Sequence, residues 1–214
     1  MERRDFLRLG ASGVGLAAIG GTAAACAPPS TPPPPDSAFS LGIASGLHSP
    51  TELVLWTRVD PGFAPGVATV GWEVATGPDF ATVVAAGTAP VDGDADATAK
   101  VLVGGLAPAT DHWYRFTAGS ETSPTGHART PPAAGASVAT ARFAYASCQA
   151  YAGGYYGAWR EIAGRDLDAV LFLGDYIYEA PAIQLLGRVR DEPTTEARTL
   201  DDYRARYRLY KSDP

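Results

Sequence analysis

The chain has 214 residues, 23 acidic against 17 basic side chains, a formal net charge of −6 and 46% apolar residues. That acidity argues against a surface for nucleic acid or another polyanion, although a local metal site attracts phosphate whatever the net charge. Only two cysteines, Cys26 and Cys148, are present.

Residues 1–26 read as a leader. Met1-Glu2-Arg3-Arg4-Asp5-Phe6-Leu7-Arg8 sets adjacent arginines before a polar spacer, Phe-Leu and another basic residue. It resembles a twin-arginine signal and implies the twin-arginine export machinery as a partner. The expected location is extracellular, periplasmic or lipid-anchored at the cell surface. Ala11 to Ala25 is too short and glycine-rich to span a membrane stably. Two processing routes stay open: ordinary cleavage after Ala23-Ala24-Ala25, or acylation of Cys26 as in a bacterial lipoprotein, with Ala where Leu is usual three positions before it. Three acyl chains there would anchor far more firmly than one. Residues 27–37, rich in proline, form an extended tether that buries nothing.

From residue 38 to 132 short alternating runs, Leu53 to Arg58, Val70 to Ala75, Val83 to Ala85, Ala99 to Val103 and Trp113 to Thr117, are separated by Gly, Pro and Asp clusters. This spacing predicts an antiparallel β-sandwich, with Trp56 and Trp72 between its sheets. Gly105-Leu106-x-Pro108-x-Thr110 before W-Y-R-F resembles the corner preceding a late strand of fibronectin type III-like domains. His48, His112 and His127 fall in this region without metal-binding spacing and read as surface or packing residues. A Pro- and Ala-rich hinge, Pro131 to Thr140, follows.

Residues 141–214 change texture. Apolar runs Arg142 to Ala146 and Ala169 to Leu173 end at Ser147-Cys148 and Gly174-Asp175. Between them Tyr156, Trp159, Ile162 and Ala163 recur at helical spacing. The pattern predicts a β-α-β unit with parallel strands, roughly 4.8 Å apart, whose carboxyl ends share one sheet edge. Cys148 and Asp175 therefore arrive side by side, and Tyr178, three residues on, reaches the same point. A thiolate, a carboxylate and a phenolate form an anionic cluster that needs a cation of high charge, and a hard trivalent ion accepts all three. Gly187 to Arg198 reads as a charged surface loop near the site. Thr199-Leu200-Asp201-Asp202 opens a helix with a capping box; Leu200, Tyr203, Tyr207 and Tyr210 share one face, and its arginines read as a solvated face.

The strings F-A-Y-A-S-C-Q (143–149) and L-F-L-G-D-Y-I-Y-E (171–179) resemble those of PhoD-type alkaline phosphatases, within the calcineurin-like metallophosphatases. Residues 38–132 resemble that family's N-terminal domain and 141–214 the start of its metallophosphatase domain. The resemblance implies a phosphate mono- or diester substrate, Fe(III) held by Cys148, Asp175 and Tyr178, and Asp175 shared with Ca(II). The family's further motifs, an Asp-Asp-His-Glu string and a late Gly-Asp-x-His, do not occur here. The expectation is the first part of an enzyme, not catalytic on its own.

Two rivals compete with this reading. A nucleophilic-cysteine phosphatase needs an Arg six positions after the Cys, where Gly154 stands, and no His follows Cys148. A secreted sandwich-bearing binding or surface protein with an inert α/β remnant is the rival of a different class. A Cys26–Cys148 disulfide would require an uncleaved leader.

Overall fold

The computed structural model describes residues 37–180 and 189–213. The twin-arginine segment, Cys26 and the tether up to residue 36 lie outside the described residues.

Strands β1 (Ile43–Ser49), β2 (Glu52–Arg58) and β5 (Thr98–Val103) form an antiparallel sheet in the order β1-β2-β5. Facing it are β3 (Thr69–Ala75), β4 (Val83–Pro90) and β6 (Asp111–Ala118), in the order β4-β3-β6, with the short β7 (Glu121–Thr122) and β8 (Gly126–Arg129) both pairing β6. The period-two pattern decides which side chains meet between the sheets. Leu53, Leu55, Val101 and Val103 point inward from one sheet and Val70, Val74, Tyr114 and Phe116 from the other. The layout is a fibronectin type III-like sandwich.

Sequence periodicity located the strands with clear alternation. It passed over β1 and β8, whose Ser, Gly and His content hides them; β1 remains half-exposed at the edge of its sheet. Trp72 packs against the core, over its cross-strand partner Gly87. A side chain at Gly87 would strike the indole, so the missing Cβ makes room for the ring. Trp56 corrects the expectation. It alternates with buried Leu55 and Thr57 and so lies on the outer face of β2.

That outer face is covered by a helix, α2 (Leu200–Lys211). The capping box forms as its sequence requires: Thr199 accepts from the Asp202 amide and Asp202 from the Thr199 amide. Its arginines, however, do not form a solvated face. Arg208 donates to Asp96 at 2.6 Å, and Arg58 of β2 donates to the same carboxylate at 3.2 Å. Arg204 reaches the Asp94 carbonyl, and Arg206 is buried against Glu192 at 2.8 Å. Burial alone would raise the Asp96 pKa, but the hydrogen bonds and charges of Arg208 and Arg58 outweigh it and hold the carboxyl below its ordinary range. The Gly187 to Arg198 segment, where described, is also not a plain surface loop: Glu192 and Ala197 are buried, and Arg190 lies 3.6 Å over the Tyr151 ring.

The second unit is small. β9 (Phe143–Ala146) and β10 (Ala169–Phe172) pair in parallel, Phe143 against Ala169 through Ala146 against Phe172. Helix α1 (Gly157–Ala163) lies between them in the chain. Parallel strands are normally covered on both faces. Here Phe143, Tyr145, Val170, Leu171 and Leu173 are all exposed.

His112, 1% exposed on β6, has neither ring nitrogen hydrogen-bonded. Burial lowers its pKa; the Ala107 carbonyl and Asp111 oppose this, and His127 adds to it. The folded sandwich therefore disfavours its protonation relative to the unfolded chain, which takes up a proton below the ordinary value of 6.5. Stability is expected to fall as pH drops from 7.5 to 5. Urea unfolding followed by tryptophan fluorescence checks this: His112→Leu should flatten the pH slope, and an unchanged slope contradicts the assignment.

Candidate metal centre

Pairing of β9 with β10 continues past the regular strands. The Leu173 amide donates to the Ala146 carbonyl at 2.8 Å, the Cys148 amide to Gly174 at 3.1 Å and the Gln149 amide to Asp175 at 3.2 Å. The two chains thus run side by side until each turns, and each turns at a left-handed residue: Cys148 at φ 60° and Asp175 at φ 55°. Asp tolerates this region better than most residues. For Cys148 it costs about 1–3 kcal/mol and persists only when the surroundings hold it.

The turns bring together three side chains from two segments of the sequence, Cys148 from one and Asp175 and Tyr178 from the other. Cys148 Sγ lies 3.4 Å from Asp175 Oδ2, and Tyr178 Oη lies 3.3 Å from that same oxygen. The phenol contact is longer than an ordinary O–H···O hydrogen bond. All three polar atoms thus gather round one point, with Cys148 and Asp175 exposed and Tyr178 partly so. Burial, the Cys148 hydrogen bond and the negative charges of Asp175 and Cys148 push the Tyr178 phenol above its ordinary pKa. A trivalent ion would offset the repulsion among a thiolate, a phenolate and a carboxylate held this close. The donor set therefore fits a hard metal with one soft ligand.

The centre rests on a polar clamp. Gln149 Nε2 donates to the Tyr176 carbonyl at 3.0 Å, and its Oε1 accepts from Trp159 Nε1 of α1 at 3.0 Å. Trp159 stacks on Phe172 at 5.8 Å, and Phe172 meets Tyr176 edge-on at 5.0 Å. Sequence reading placed Gln149 and Tyr176 within the family-like strings but assigned neither a bracing role. Their signal was adjacency alone: each directly follows a candidate ligand.

None of the histidines joins the centre. His48 faces Glu52 at 3.7 Å, His127 faces Asp111 at 3.0 Å, and His112 is core. Among the described residues no three His, Cys, Asp or Glu side chains gather to hold a metal; the cluster here is one thiol, one carboxylate and one phenol. The neighbours of Cys148 also bear on the nucleophile rival. A reactive thiolate is stabilised by cationic groups, whereas this thiol faces a carboxylate and a phenol.

Comparison with known proteins gives the family. Residues 23–132 match the family model "PhoD-like phosphatase, N-terminal domain" and residues 143–214 match "PhoD-like phosphatase". The chain belongs to the PhoD-like phosphatases. It is 41% identical over 184 residues to alkaline phosphatase D of Bacillus subtilis (strain 168), covering 82% of this chain and 32% of that protein. A solved structure of PhoD superposes with a TM-score of 0.78 at 41% identity, over 83% of this chain and 36% of that one. The sixth fibronectin type III domain of a human fibronectin type III domain-containing protein matches over 45% of this chain and 88% of its own, at 18% identity and a TM-score of 0.35. The chain thus spans about a third of the length of its curated PhoD relative.

Replacing Gln149 with Leu leaves the Trp159 indole and the Tyr176 carbonyl unpaired, at an expected cost of about 1–3 kcal/mol. Limited proteolysis between residues 147 and 156 should accelerate in Gln149→Leu while the sandwich stays intact. Wild-type cleavage kinetics would contradict a clamping role.

Proposed function

We propose that this chain carries the iron-holding end of an exported, metal-dependent phosphatase acting on phosphate mono- or diesters. One observation carries the reading: the thiol of Cys148 and the phenol of Tyr178 both lie against a single oxygen of Asp175. Cys148, Asp175 and Tyr178 would hold Fe(III), with Asp175 shared with Ca(II). When bound, such a metal pair supplies Lewis-acid activation of water and neutralises charge developing on the phosphoryl oxygens.

The chain's own contribution is placement. The extended β9–β10 pairing fixes the two strand ends, and the turns at Cys148 and Asp175 aim three donors at one point. Exposure of Cys148 and Asp175 leaves room for substrate and for further ligands. Full hydrolysis is read as needing His, Asn and Asp ligands beyond these three. The exposed apolar residues of β9 and β10 support a larger assembled domain around the site. The leader supports twin-arginine export of a protein folded with its metal. Cys26 offers either a lipid anchor or the first residue after cleavage.

Asp175→Asn tests this reading, because Asn tolerates the same left-handed backbone. In the protein at the length of its PhoD relative, iron content and the visible tyrosinate-to-iron band should be lost together. Turnover of chromogenic phosphate mono- and diesters with added calcium should fall more than about 100-fold, beyond the effect of an outer-shell change. A variant with wild-type iron content and turnover would overturn the assignment.

A further inference from the structure

Helix α2 touches three parts of the molecule at once. Toward the sandwich, Arg208 meets Asp96, Arg204 meets the Asp94 carbonyl, and Lys211 lies over the Trp56 ring at 5.5 Å. These three residues recur at i, i+4 and i+7 and so form one stripe. Toward the Asp175 turn, the Tyr207 ring stacks on Tyr176 at 5.6 Å while its other neighbour is Trp56 at 6.3 Å. Toward the Cys148 turn, the Tyr210 ring lies 5.5 Å from Tyr151 and 6.3 Å from Tyr156. Glu192 ties that face together by accepting from Arg206 at 2.8 Å and Tyr210 at 3.0 Å.

The consequence concerns distance. Cys148 and Asp175 lie on different turns, and both are left-handed, so their separation depends on what braces each turn from outside. Tyr176 directly follows Asp175 and Tyr151 follows Cys148 by three residues. Both are braced by α2, and α2 is moored on the sandwich.

We propose that the sandwich is a positioning element for the metal centre: moored on Asp96, Asp94 and Trp56, helix α2 holds Tyr176 and Tyr151 and thereby sets the spacing between Asp175 and Cys148. Asp96, Tyr207 and Trp56 are then positioning residues that touch neither substrate nor metal. The inference rests on the metal reading for its purpose, but the mechanical coupling stands or falls separately.

The test uses Asp96→Asn, which retains a residue tolerant of φ 61°, together with Tyr207→Leu and Tyr207→Phe. Two quantities are read: exchange of the Leu173, Cys148 and Gln149 amides in metal-free protein, and affinity for Fe(III) by titration of the tyrosinate band. Asp96→Asn and Tyr207→Leu should each speed exchange at those amides about 10-fold and weaken iron binding about 10-fold, as outer-shell changes do. The amides of β2 and β3 should keep their wild-type protection, and Tyr207→Phe, which retains the ring, should restore both readouts. Faster exchange in α2 with unchanged Leu173, Cys148 and Gln149 would overturn the coupling. Unchanged exchange in α2 after Asp96→Asn would overturn the mooring. Should wild-type protein bind no iron, the metal reading fails, while the metal-free exchange still decides the coupling.

Discussion

The structure depends on a parallel pairing of two four-residue strands that carries on past its regular end. Leu173, Cys148 and Gln149 each donate a backbone hydrogen bond across the gap, which keeps the chains in step to the point where they turn. Had the pairing stopped at Ala146 and Phe172, Cys148 and Asp175 would have been free to diverge. Because it does not, a sulfur and a carboxylate from positions 27 residues apart lie 3.4 Å apart.

That juxtaposition sets opposing demands. Three acidic donors at one point repel one another when ionised, and Cys148 sits in a backbone region that a non-glycine residue occupies only under constraint. In the proposed reading a bound cation would answer the first demand. The second is answered by protein: the Gln149 clamp within the unit, and aromatic packing from Trp159 through Phe172 and Tyr176 to Tyr207 of α2. Asp96, receiving arginines from both β2 and α2, ties that packing to the sandwich.

Much of this was legible in the sequence. Alternation located the sandwich strands whose inward residues are large and apolar, such as β2 and β6, because period-two burial leaves a clear trace. The β-α-β unit and the meeting of Cys148 with Asp175 were readable because strand ends on one sheet edge follow from topology. What escaped notice depends on tertiary partners. Trp56 looked like core because an aromatic in an apolar run is ordinarily buried between sheets, yet its cover is a helix some 150 residues later in the chain. The arginines of α2 looked solvated because no local pattern reveals that the turn holding Asp94 and Asp96 lies beneath them. Gln149 carries no periodicity, so its bridging position had no sequence signal. His112, read from the sequence as either surface or packing, is packing, because it shares the buried face of β6 with Tyr114 and Phe116.

X-ray absorption at the iron edge of the iron-loaded protein tests the central claim most directly. The account predicts one sulfur among otherwise oxygen and nitrogen scatterers around the iron, absent in Cys148→Ser. A first shell without sulfur in the wild-type protein, or one unaltered by that substitution, would contradict it.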